Sequence, residues 1–131
     1  MRVITCFIAL LLTAFSSQDC SIIKKGTFYF YPPDSSEPFQ IIRKDSVQEE
    51  INMKTKDTSF WKIIWSDDCF ARLHLIKTTK KMEDDEKAFL FGHTTVMHVL
   101  SISNKYYIFK GRLDSLNSPF TIVDTVWFNK R

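Results

Sequence analysis

The sequence predicts an all-β protein, an antiparallel meander of seven to eight strands that forms a small barrel or a strongly curved sheet after a cleaved signal peptide. Short runs of aromatic and β-branched residues recur along the chain, which is typical of strands. The turns between these runs are too short for the crossover that parallel strands need, so neighbouring strands pair antiparallel. Aromatic residues make up 15% of the chain, which favours an aromatic interior.

A secretory signal peptide is predicted over residues 1–17. Arg2 precedes an apolar run from Val3 to Leu12, which is shorter than the roughly 20 apolar residues of a membrane-spanning helix. Small residues follow at Thr13, Ala14, Ser16 and Ser17. This order is typical of a cleaved signal, and a buried N-terminal helix is the weaker alternative. We expect cleavage after Ser16 or Ser17, a single domain over residues 18–131, and a secreted, periplasmic or cell-envelope location.

Two cysteines remain after cleavage, Cys20 and Cys69, because Cys6 lies within the signal. An even count in an exported protein favours a disulfide. A lipid anchor on Cys20 is the less favoured alternative, since Gln18 and Asp19 stand where a lipoprotein site takes small residues. No later segment is apolar enough to span a membrane.

Eight candidate strands follow in this order: Thr27 to Tyr31, Phe39 to Lys44, Ser46 to Met53, Phe60 to Trp65, Phe70 to Thr78, Thr94 to Ser103, Tyr106 to Leu113 and Phe120 to Phe128. Pro32–Pro33 end the first strand, because proline cannot donate to a ladder. Lys44–Asp45 and Asn104–Lys105 leave room only for tight turns and predict two hairpins. The polar segment 54–59 is a turn, and Asn117–Pro119 is a break before the last strand.

The segment from Lys80 to Gly92, KKMEDDEKAFLFG, is the least regular part of the chain. Gly92 is a common helix stop, which allows a short helix. A loop is favoured instead, because the four acids from Glu83 to Glu86 repel one another and prefer water.

The stretch WSDDC, Trp65 to Cys69, combines two carboxylates, a thiol and an indole. Asp67 and Asp68 are adjacent, so in an extended chain they point in opposite directions. They lie between two strands, where aspartate side chains bond the backbone of a turn. The stretch is therefore predicted to be a hairpin turn, and no catalytic residue is assigned to it.

Several kinds of site are not expected. The histidines His74, His93 and His98 show no ligand spacing, so no metal site is predicted. The chain has no phosphate-binding glycine loop and no hydrolase elbow, and we expect no cofactor. After cleavage, 17 basic residues face 15 acidic residues without a basic cluster, which argues against a nucleic-acid partner.

Large rings alternate along strands that are expected to be neighbours. They most simply fill a core, yet barrels of about eight strands, such as lipocalins, also hold a small ligand. We therefore expect a non-enzymatic binding module for a small apolar ligand or an envelope partner protein. Its candidate ligand-binding residues are Trp61, Trp65, Phe109 and Trp127. The alternatives are a structural envelope protein and an enzyme that uses Asp124, His98 and Arg112.

Four short motifs carry a resemblance: QDC at Gln18 to Cys20, KKGTF at Lys24 to Phe28, RKDSVQEE at Arg43 to Glu50, and WSDDC. Together with the signal peptide, they make the chain similar to a family of small exported proteins of flavobacteria and related Bacteroidetes. That family has no established activity, so the resemblance implies no catalytic residues. It implies a bacterial envelope or secreted location and a Cys20–Cys69 pair that matches the two cysteines of the family.

Overall fold

Eight antiparallel strands form a closed barrel in which each strand pairs with the next along the chain and the last returns to the first. The computed structural model describes residues 19–34, 37–66, 68–114 and 121–131. Its elements are, in order, a 3-10 helix (Ser21–Ile23), β1 (Gly26–Phe30), β2 (Phe39–Lys44), β3 (Val47–Asn52), β4 (Thr58–Trp65), β5 (Phe70–Thr78), α1 (Asp84–Gly92), β6 (Thr95–Ile102), β7 (Tyr106–Leu113) and β8 (Thr121–Trp127). The predicted all-β meander is confirmed, and it closes fully.

Some of the sequence predictions fall on other residues. The predicted signal (residues 1–17), the predicted break at Asn117–Pro119 and Phe120, the expected first residue of the last strand, lie outside the described residues. In the described part of the chain, neither helix is long and apolar enough to cross a membrane.

A disulfide fixes the 3-10 helix to the turn between β4 and β5. Cys20 and Cys69 are joined, with 5.6 Å between their Cα atoms, as the sequence predicts. Ile23, the last residue of the 3-10 helix, is completely buried and belongs to the hydrophobic core. The disulfide therefore holds a short helix against the interior of the barrel.

The stretch WSDDC connects β4 to β5 as a turn, which confirms that prediction for the residues described. The backbone N–H of Ser66 donates to the carbonyl of Phe70 over 2.8 Å. Cys69 has a φ of 60°, a left-handed conformation typical of tight turns. Asp68 is exposed, and Asp67 lies outside the described residues.

Strand β3 turns its polar face to the barrel interior. The β2–β3 register places Ile41 opposite Glu50 and Arg43 opposite Gln48, and opposite residues share one face of a sheet. Because Ile41 is buried in the core, Gln48 and Glu50 point inward with it. Val47 faces the other way and is 37% exposed. The interior thus receives polar side chains that a simple apolar-inside pattern would place outside.

The prediction of a loop over residues 80–92 is wrong for Asp84–Gly92, which form helix α1. Asp84, Asp85 and Glu86 all lie in its first turn, where the partial positive charge of the helix N-terminus stabilises carboxylates. The mutual repulsion of these acids is outweighed by this placement and by an ion pair between Lys80 and Glu86 at 3.7 Å. The helix buries none of its own residues.

Candidate ligand-binding cavity

A cavity of about 400 Å³ occupies the interior of the barrel. Most of its wall is apolar and is formed by Phe30, Phe39, Ile41, Leu73, Met97, Phe109, Gly111, Leu113, Ile122 and Val126. Four polar residues from β2, β3 and β7 also line it: Arg43, Gln48, Glu50 and Tyr107. Thr95 and Arg112 complete the lining. The cavity is therefore an apolar pocket with one cluster of four polar residues, and Thr95 and Arg112 add polar groups elsewhere on its wall.

The strand positions of these residues show which end of the barrel opens. Phe30 ends β1, Phe39 begins β2, Thr95 begins β6 and Leu113 ends β7, so all four lie at one end of the antiparallel barrel. Ile122, near the start of β8, lies at the same end and is 41% exposed. We call this end the mouth. The polar residues lie deeper, towards the end that the 3-10 helix covers, and we call that region the base.

Arg43 is the central residue of the base. Its side chain is 3% exposed. The Nε–H donates to Oε1 of Gln48 over 2.8 Å, and Nη1 donates to the backbone carbonyl of Ile23 over 3.0 Å. Nη2 lies 3.9 Å from Sδ of Met97, a weak acceptor. The 3-10 helix thus helps to orient the guanidinium.

Aromatic rings surround the guanidinium of Arg43. Its Cζ atom lies 5.1 Å from the ring centroid of Phe28, 5.5 Å from that of Tyr107 and 5.6 Å from that of Trp65. Cation–π contacts of this kind are each worth about 0.5–2 kcal/mol. No ion pair found among the described residues involves Arg43. The buried charge is therefore held by rings and neutral hydrogen-bond acceptors.

Glu50 is the acid of the base, but it does not pair directly with Arg43. Its Oε1 accepts a hydrogen bond from Nε2 of Gln48 over 2.8 Å, so Gln48 stands between the two charges. Burial raises the pKa of Glu50, and the hydrogen bond from Gln48, the charge of Arg43 and the nearby indole of Trp61 oppose that rise. The carboxyl therefore holds its proton to a higher pH than an exposed glutamate does.

Three buried polar atoms of the described residues have no hydrogen-bond partner: Oη of Tyr107, Nε1 of Trp61 and Nε1 of Trp65. Trp61 Nε1 lies near enough to Glu50 to lower its pKa without a hydrogen bond of normal geometry. Tyr107 is completely buried, and burial raises the pKa of its phenol against the opposing effect of Arg43, which lies close to Oη without a hydrogen bond of normal geometry. Buried polar groups are usually paired, and of these three residues only Tyr107 lines the cavity, so its phenol indicates a place for a ligand.

The four sequence-predicted ligand-binding residues lie in different places. Phe109 lines the cavity. Trp61 and Trp65 pack against the core, and Trp65 contacts the base through its ring. Trp127 lies on the outer face of β8, because the neighbouring Val126 points into the cavity. There its ring packs edge-on against Tyr106, 5.0 Å between centroids.

The polar residues considered for an enzyme are spread over three strands. Arg112 lines the cavity. His98 stacks on Phe70, with 4.0 Å between ring centroids, and Asp124 accepts the backbone N–H of Thr125 over 2.7 Å. The contacts of the described residues do not bring these three side chains to one point.

Sequence reasoning missed the residues of the base, namely Arg43, Gln48, Glu50 and Tyr107. A signal was present in β2, where Arg43 falls on the same face as Phe39 and Ile41 by the period of two. A charged residue at the end of an apolar face is expensive to bury and marks a candidate site. Comparisons of the chain with protein-family models, with curated proteins and with solved structures found no match.

Proposed function

We propose that this chain is an exported, non-enzymatic binding protein that holds one small, mostly apolar molecule inside its barrel. The observation that carries the proposal is the cavity of about 400 Å³ with apolar walls. Ligand pockets typically span about 300–1,000 Å³ and combine apolar walls with a few polar groups. Barrels of about eight strands, including lipocalins, have an interior of the size needed for one small ligand.

The volume of the cavity limits the ligand. A water molecule takes about 30 Å³ in the liquid, so the 400 Å³ cavity has room for about 13 groups of that size. A fatty chain of medium length or a two-ring aromatic molecule fits this limit. Longer lipids would extend out through the mouth.

The exported location is supported by the Cys20–Cys69 disulfide. Disulfides form and persist in oxidising compartments and are rare in the cytosol. The signal-like residues 1–17 support the same location, which is secreted, periplasmic or in the cell envelope. Binding of a molecule met outside the cytoplasm is consistent with both observations.

The test is to fill the cavity and to compare the result with the same change on the outer surface. Thr95 lines the cavity, whereas Thr27 is exposed and precedes the inward-facing Phe28 in β1. We expect Thr95→Phe to weaken the binding of decanol by at least about tenfold, because the ring occupies ligand space, whereas Thr27→Phe leaves the affinity unchanged. Tryptophan fluorescence and calorimetric titration measure the affinities, and thermal unfolding checks that both variants fold. Equal decanol affinities in the two variants would contradict the proposal. It would also be contradicted if the unsubstituted protein bound neither decanol nor decanoate.

A further inference from the structure

We propose that the bound molecule carries a carboxylate head group, which docks at the base of the cavity on Arg43 and Tyr107, with its apolar part directed towards the mouth. This inference rests on the proposed function and names the chemical class of its ligand. It follows from the charge of the base, from its balance of hydrogen-bond donors and acceptors, and from the apolar wall above it.

The charge of the base favours an anion. An arginine guanidinium is always protonated in proteins, and Arg43 is 3% exposed. Burying a charge is costly unless an opposite charge or good hydrogen bonds compensate it. The described partners of Arg43 are an amide oxygen, a backbone carbonyl and a thioether, all of them neutral. An anion in the adjacent cavity would supply the missing opposite charge.

Glu50 does not fill this role. Its Oε1 is already bonded to Gln48, and burial outweighs the attraction of Arg43, so the pKa of Glu50 is raised. A raised pKa means that the carboxyl group gives up its proton reluctantly in this environment. Because no ion pair found among the described residues joins Arg43 to Glu50, the guanidinium is available to a second acid.

The balance of hydrogen-bond donors and acceptors at the base favours a ligand group that only accepts hydrogen bonds. A guanidinium has five N–H donors, and three of them have partners among the described residues. The phenol of Tyr107 lines the cavity and has no hydrogen bond of normal geometry; the nearby Arg43 can only donate to it, so its O–H remains an unused donor. An ionised carboxylate is acceptor-only, with two oxygens and about four lone pairs. It would match the remaining donors, whereas an alcohol also brings a donor of its own.

The surroundings favour a monoanion with an apolar body. A phosphate would bring more negative charge next to Glu50, with only the guanidinium of Arg43 at the base to balance it, because Arg112 lies near the mouth end of β7. The wall above the base is formed by side chains such as Ile41, Met97, Phe109 and Val126, which gain by covering an apolar chain or ring. The ligand class is therefore a small carboxylic acid with an apolar tail.

The experiment compares two ligands that differ only in the head group. Decanoate and decanol are titrated against the oxidised protein by calorimetry, with inorganic phosphate as a separate anion. We expect decanoate to bind at least about tenfold more tightly than decanol, since hydrogen bonds to charged groups are about twice as strong as neutral ones, and phosphate not to compete. Equal affinities for decanoate and decanol would overturn the head-group inference and leave the cavity function standing. Failure of both ligands to bind would overturn both proposals.

Two tyrosine variants test whether the carboxylate head group binds at Tyr107. Tyr107→Phe removes only a hydroxyl that makes no hydrogen bond of normal geometry, so the protein is expected to fold, which thermal unfolding checks. Its affinity for decanoate should fall by about tenfold, with little change for decanol. Tyr106→Phe makes the same change on the next residue, which packs against Trp127 on the outside, and should change neither affinity. Equal decanoate affinities in the two variants would overturn the placement at Tyr107.

Discussion

The disulfide makes a quantitative prediction about stability. Cys20 and Cys69 are 49 residues apart in sequence, and the chain-entropy model assigns about 4 kcal/mol to a crosslink of that span. Domains of this size are stable by about 5–15 kcal/mol, so the crosslink supplies a large share. We expect the double variant Cys20→Ala/Cys69→Ala to lose about 4 kcal/mol of unfolding free energy.

The substitution changes little else, which makes the magnitude interpretable. Cys69 has a φ of 60°, and alanine has a Cβ just as cysteine does, so no backbone strain is added there. Cys20 is 5% exposed, and its replacement removes one buried sulfur from the core. Reduction of the unsubstituted protein is the matched control, because it breaks the same bond without changing any atom of the core except the two sulfurs.

Urea unfolding followed by tryptophan fluorescence measures the loss. For m values of about 1–3 kcal/mol/M, a loss of about 4 kcal/mol lowers the unfolding midpoint by about 1 to 4 M. Hydrogen exchange should also speed up at the amide of Ile23, which bonds to the carbonyl of Cys20 over 3.2 Å. A loss below about 1 kcal/mol in both the reduced protein and the double variant would refute the reasoning, because the crosslink would then restrict the unfolded chain far less than its span requires.

Two further predictions concern charged side chains. The folded-state pKa of Glu50 lies above its usual 4.5, so between those two values the folded protein binds more protons than the unfolded chain, and its stability falls as pH rises through that window. Glu50→Gln should flatten this dependence of stability on pH, measured by urea unfolding at several pH values. A dependence equal to that of the control variant Glu49→Gln would contradict the prediction. The exposed ion pair between Arg72 and Asp114 should contribute less than about 1 kcal/mol to the free energy of unfolding. A double-mutant cycle with alanine at both positions measures this coupling energy, and a value of about 2 kcal/mol or more would show that solvent screens the pair less than its exposure indicates.

The sequence predicted the strands well because their signals are local. The bounds of β2, β5 and β7 are those expected from runs of apolar residues and the turns that end them. Alternation also predicts the inward face of β5, where Ala71, Leu73 and Leu75 are buried. Such assignments need only a period of two and a solvent-exposed opposite face.

The base of the cavity could not be predicted in the same way, because β3 contradicts its own pattern. Val47 and Ile51 are the apolar residues of one face, yet Gln48 is the buried residue, at 2% exposed. The pairing with β2 decides this, because it sets Lys44 opposite Val47 across a two-residue turn, so that Gln48 and Glu50 share the inward face of Arg43 and Ile41. The apolar patterns of β2 and β3 therefore conflict, and tertiary packing decides which face of each strand turns inward. The residue pattern of a single strand does not contain that information. Repulsion between acids alone does not predict helix α1, because it leaves out the stabilisation that carboxylates gain in the first turn of a helix.

The order of the strands has a consequence for how the protein folds. Every pairing but one joins strands that follow each other in the chain, and the exception is the β1–β8 pairing, with Tyr29 opposite Trp127 and Phe30 opposite Val126. This closure links the two ends of the described chain and carries the greatest entropy cost of loop formation, so it is expected late, after the local hairpins. Until it forms, β1 and β8 each present an unpaired edge to other molecules. Light scattering during refolding at increasing protein concentration would detect the association that such open barrels undergo.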